Sequence, residues 1–126
     1  MQVGGLREKQ VREFAQSHKF EETAVALSLL CGLPVDVMER VLNDRNSDTT
    51  LILSRAIGLS WDTTMALLFL RSEDHQMSGQ QLDKAERAFA RLDVEASRRV
   101  LDVYRSRKAS DGEASNLQRL PQLHAI

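Results

Sequence analysis

The sequence predicts an all-α protein, and three observations carry that reading. Apolar residues recur at helical spacing along nearly the whole chain. No stretch sustains the alternation of apolar and polar residues that a half-buried strand needs, and no Asn-Gly or Asp-Gly pair joins two such stretches.

Taken in order, the first helix covers Leu6 to Lys19, with Leu6, Val11, Phe14 and Ala15 on its apolar side. Glu21 and Glu22 open a second, where acidic side chains favour the positive end of the helix dipole. That helix runs to about Cys31, and Gly32 ends it, because glycine enters the left-handed cap conformation without a side-chain clash. Pro34 restarts a helix, since a first turn has no use for its missing N–H.

The same plan recurs 26 residues on. Thr23 falls on Thr49, Ser28 on Ser54, Gly32-Leu33 on Gly58-Leu59, Asp36 on Asp62 and Leu42 on Leu68. Both glycine caps coincide with both restart points, which makes two stacked HEAT-like repeats, each an antiparallel helical hairpin, over about 21–44 and 47–71. A C-terminal helical hairpin follows over about 79–107. Ser78 and Gln81 form a capping box ahead of Leu82, Ala85, Phe89 and Leu92. Asp93 caps the last helix, with Ala96, Val100 and Tyr104 on its inner side. Residues 109–126 lack periodicity and are expected to form a mobile tail, so the single helical domain is 1–108.

A chain of 126 residues, 42% hydrophobic and 28% charged, can bury a core without metal or disulfides. Its net charge of −1 sets up no global field toward nucleic acid or an anionic membrane. The single Cys31 allows no internal disulfide and fits a reducing compartment. No basic-then-apolar leader opens the chain, and its longest apolar runs, Ala24–Leu30 and Met65–Leu70, are far too short for a membrane span. A cytoplasmic location is the expectation.

The sequence offers few groups placed for chemistry. Gly4-Gly5 lies near the start and makes no phosphate loop, and no His-Glu-x-x-His, paired-Cys or calcium-loop pattern occurs. His18, His75 and His124 are scattered, and Glu73-Asp74-His75 reads as a solvated linker rather than a metal site. Cys31 sits at the C-terminal end of its helix, where the dipole raises a thiol pKa, so a small buried filler is the better reading. Glu21 and Glu22 point in different directions and make no acid–base pair. No catalytic residue, cofactor or metal is expected.

Both Gly-Leu turns imitate a helix-turn-helix unit, which keeps a DNA-binding regulator as the alternative function. The second helices, however, would present Val35, Asp36, Glu39 and Arg40, or Trp61, Asp62, Met65 and Ala66, to the polyanion. Residues 1–82 hold eight Lys/Arg against eleven Asp/Glu, so the electrostatic footprint of a DNA reader is missing. One basic cluster exists, Arg98, Arg99, Arg105, Arg107 and Lys108, which reads first as a solvated helix end and second as a patch for an acidic partner or nucleic acid.

The runs Lys19-Phe20-Glu21-Glu22-Thr23, Gly32-Leu33-Pro34-Val35-Asp36-Val37-Met38-Glu39-Arg40-Val41-Leu42 and Gly58-Leu59-Ser60-Trp61 resemble the bacterial family known as domain of unknown function 2336. The resemblance covers roughly Leu6 to Arg107 and implies a helical fold, a bacterial source and either a C-terminal portion or an engineered piece of a longer protein. It implies no activity, cofactor or catalytic residue.

Exclusion, together with the extended surfaces that stacked helical hairpins build, points to a non-enzymatic scaffold or adaptor that binds another protein. Homo-oligomers are open, and neither nucleic acid nor membrane is expected as a partner. One face is singled out by comparing the repeats. Glu39, Arg40, Asn43 and Asp44 of the first copy become Met65, Ala66, Phe69 and Leu70 in the second, so something covers that face. The expectation is the following hairpin, which would bury Phe69 within the monomer; a second subunit or a partner protein is the other candidate.

Overall fold

The computed structural model describes residues 2–70 and 77–118, with side chains described over 8–70 and 77–107. Glu73-Asp74-His75, His124 and the side chains of Leu6 and Lys108 therefore lie outside the described residues. Seven helices are described: α1 (Gln2–Gln16), α2 (Phe20–Cys31), α3 (Val35–Asn43), α4 (Asp48–Ala56), α5 (Trp61–Phe69), α6 (Gly79–Arg91) and α7 (Val94–Gln118). The described residues contain no strand.

The turns explain the boundaries. Gly32 ends α2 at φ 70° and Gly58 follows α4 at φ 82°. In each turn the next leucine reaches back to a serine carbonyl, Leu33 to Ser28 at 3.1 Å and Leu59 to Ser54 at 2.9 Å. This is the six-to-one bond of a Schellman cap; the Ser28 carbonyl also accepts the Gly32 N–H at 2.8 Å, while Gly58 N–H goes to the Arg55 carbonyl at 3.2 Å. The end of α1 repeats the pattern with Lys19 bonded to Phe14 at 2.9 Å, but the residue at positive φ is His18, at 58°. Pro34 sits just before α3 rather than inside its first turn, and its carbonyl accepts Val37 and Met38. Between α3 and α4, Asp44 accepts Asn46 N–H and Asn46 accepts Asp48 N–H, a side-chain staircase that turns the chain. Ser78 and Gln81 form a complete capping box at 2.8 and 3.1 Å, and Asp93 caps α7 through Ala96 N–H at 2.8 Å.

Burial follows the 26-residue repeat. Leu27 and Leu53, Leu33 and Leu59, and Leu42 and Leu68 are all buried. The main core joins both hairpins to Val11 and Ala15 of α1 and to Leu101 of α7. Within it α1 lies against α2 and α5, and α7 lies along α4. A second, smaller cluster seats α6: Ala85 and Phe89 pack on Leu51 and Leu68, flanked by Trp61, Leu82 and Leu92. Arg55 fastens that seat, its guanidinium 5.3 Å from the Phe89 ring centre and its Nε donating to the Leu92 carbonyl at 3.0 Å.

Three expectations change. The helix expected from Leu6 begins four residues earlier, at Gln2. Of the expected tail, 109–118 is helical, continuing α7, and 119–126 lie outside the described residues. No proline interrupts before Pro121, and Ala109, Glu113, Ala114 and Leu117 propagate a helix already nucleated at Asp93; Gly112 alone costs about 1 kcal/mol against that. The inner side of α7 is also centred one residue further on. Ser97 and Leu101 are buried, while Ala96, Val100 and Tyr104 are half-buried.

Candidate functional site

Helix α5 is apolar nearly all round, and its neighbours cover it unequally. Ala66, Leu67 and Leu70 enter the main core, and Trp61 and Leu68 meet α6. The remaining stripe carries Asp62, Met65 and Phe69, spaced so that all three share one side of the helix. Phe69 is 44% exposed. The expectation that the C-terminal hairpin buries it is overturned. Helix α6 does pack on its sequence neighbour, but against the Trp61–Leu68 edge, which leaves the Met65–Phe69 edge open.

That edge forms one wall of a groove of about 370 Å³ between the end of α1 and α5. Ala15, Gln16 and His18 form the α1 wall; Asp62, Met65, Ala66 and Phe69 form the other. Ala15, Met65, Ala66 and Phe69 supply its apolar lining, and Gln16, His18 and Asp62 its polar groups. His18 holds the left-handed conformation that glycine holds in the other two turns, which for a residue with a Cβ costs on the order of 1 kcal/mol.

The two walls are locked together by a polar network. Ser60 caps α5, its hydroxyl accepting Thr63 N–H at 3.4 Å. Its own N–H donates at 2.8 Å to the Glu8 carboxylate, which also accepts the Thr63 hydroxyl at 2.8 Å. Arg12 in turn donates to Thr63 Oγ1 at 3.3 Å. Glu8 thus plays from another helix the part that Gln81 plays within its own capping box. Burial opposes ionisation of Glu8, but the bonds from Ser60 and Thr63 and the nearby Arg12 charge outweigh it and hold its pKa below the ordinary carboxyl value.

Elsewhere the chemistry is quiet. Burial pushes the Cys31 thiol up to about 12, with Arg105 only partly opposing it, so no thiolate is available at neutral pH. Among the described residues no three His, Cys, Asp or Glu side chains gather as a metal site would require, and no helix is long and apolar enough to cross a membrane.

The profile of a family described as an uncharacterised protein conserved in bacteria (DUF2336) matches residues 1–102. The chain belongs to this family. No curated protein and no solved structure matches it. The family match spans both hairpins, the groove and the Glu8 network, and stops within α7.

Of the residues singled out from sequence, the structure brings Met65, Ala66 and Phe69 together at the groove, while Leu70 turns into the core. Gly32 and Gly58 both occupy turns at positive φ. The basic cluster is divided. Arg98 approaches Glu95 at 4.0 Å, and Arg105 pairs with Asp102 at 3.4 Å while its Nε donates to the Cys31 carbonyl at 2.7 Å. Arg105 thereby caps the end of α2 and leaves Arg99 and Arg107 exposed without an ion pair among the described residues. Sequence reasoning missed His18 and the Glu8–Ser60–Thr63 network. The spacing of Glu8 and Arg12 and the Ser-x-x-Thr at the start of α5 were visible, but nothing local joined the two segments.

Proposed function

We propose that this family member is a non-enzymatic helical adaptor that takes an apolar anchor of a partner protein into the groove between α1 and α5. The observation that carries the reading is Phe69, the one exposed aromatic side chain among the described residues, standing beside Met65 in a groove that also carries polar groups. An apolar centre ringed by polar groups is the anatomy of a binding hot spot, and aromatic residues are enriched there. The strained His18 in the groove lining supports it, because the two equivalent turns relieve the same strain with glycine. Occupants that suit the site are amphipathic segments with an aliphatic or aromatic anchor. The lone buried thiol is compatible with a reducing cytoplasm.

Selection of displayed peptides against the full chain tests this. Enriched peptides share an apolar anchor and lose at least about tenfold in affinity against Phe69→Asp, equivalent to about 1.4 kcal/mol or more. A selection that enriches nothing, or peptides that bind the variant equally well, would overturn the reading.

A further inference from the structure

Two other apolar surfaces stay open, and they match each other. On α2, Val25 is 45% and Leu29 70% exposed. With exposed Glu21 one turn before Val25, these residues run at i, i+4, i+8 along the helix, and exposed Glu22 borders the same stripe. In the second repeat, the position equivalent to Val25 is Leu51, which is only 3% exposed because α6 covers it. The first repeat has no such cover among the described residues.

The second stripe is on α7. Val103 is 52% exposed and lies between exposed Arg99 and Arg107, again at i, i+4, i+8. Neighbouring charges on α7 are already committed: Arg98 to Glu95, and Arg105 to Asp102 and to the Cys31 carbonyl. Arg99 and Arg107 make no ion pair among the described residues, and neither do Glu21 and Glu22. One chain therefore carries an acidic–apolar stripe and a basic–apolar stripe of the same spacing, each uncovered among the described residues.

We propose that the α2 stripe of one copy docks on the α7 stripe of a second copy, forming a two-fold homodimer in which the contact occurs twice. Val25 meets Val103, the Glu21 and Glu22 carboxylates meet one guanidinium, and the stem of the other arginine lies along Leu29. A second copy is the occupant because the complementary charge is supplied by this same chain. The Arg105 bond to the last residue of α2 brings the two helices together at that point, and a closed two-fold dimer is the form in which the α2–α7 contact occurs twice. The α1–α5 groove takes no part in this contact.

Sedimentation of the full chain over a concentration series tests the proposal. The wild type shifts from monomer to dimer with loading, and the shift weakens in about 1 M salt, where the screening length falls to about 3 Å. The paired variant Glu21→Lys/Glu22→Lys stays monomeric, as does Arg99→Glu/Arg107→Glu, because each then opposes like charges. An equimolar mixture of the two regains the dimer, since every docking contact in the mixed pair again joins opposite charges; this outcome also shows that both variants fold. A wild type that stays monomeric at every concentration overturns the proposal. So does association that persists in either variant, fails to return in the mixture, or runs past the dimer.

Discussion

The Glu8 carboxylate accepts the backbone N–H of Ser60 at 2.8 Å, joining α1 to the start of α5 across 52 positions of sequence. The bond satisfies an N–H at a helix start and places negative charge at the positive end of the α5 dipole. It also fixes the spacing of the two groove walls.

Glu8→Gln keeps the shape and an acceptor but loses the charge. Because Glu8 is partly exposed, solvent screening limits the expected loss to about 1 kcal/mol at neutral pH. The pH dependence has a definite sign. The folded-state pKa is depressed, so this stabilisation is present above the unfolded carboxyl pKa and is lost as pH falls through the folded value. Urea unfolding of both proteins at neutral and acidic pH shows the gap closing on the acid side. A gap that is absent, or constant with pH, contradicts the latch.

The two glycine turns differ in a way that mutation reveals. A Cβ at Gly58 meets nothing within 4 Å, whereas one at Gly32 stands 3.2 Å from Arg105 Nε. Gly58→Ala therefore costs about 1 kcal/mol for its left-handed backbone. Gly32→Ala adds the disturbance of the Arg105–Cys31 bond, about 1–2 kcal/mol more. Denaturant midpoints at constant slope measure both. Equal losses at the two sites would show that Arg105 contributes nothing.

His18→Gly is expected to stabilise the protein by roughly 0.5–1 kcal/mol, because glycine enters the left-handed region without a Cβ penalty. In the adaptor reading, the same change weakens partner binding by removing part of the groove's lining. A variant less stable than the wild type rules out strain at His18.

Legibility in the sequence followed the distance between cause and effect. Gly32, Gly58, the Ser78–Gln81 box and the Asp93 cap were readable because each motif closes within a few residues of itself. The left-handed turn at His18 was hidden because its bonding matches the glycine turns while its residue type does not. Glu8 and Ser60 meet only once α1 lies on α5, a tertiary fact with no local signature. Phe69 was misplaced for a related reason. Sequence proximity correctly brought α6 to α5, but could not tell which edge of a helix apolar nearly all round it would choose.

The most direct test is the unfolding free energy of Phe69→Ala. Phe69 is only partly covered, so a loss of about 1–2 kcal/mol is expected. Such a result leaves the side chain available for a partner, as the adaptor account requires. A loss of about 3–5 kcal/mol, the cost of emptying a buried phenyl site, would make Phe69 a core residue and contradict the account.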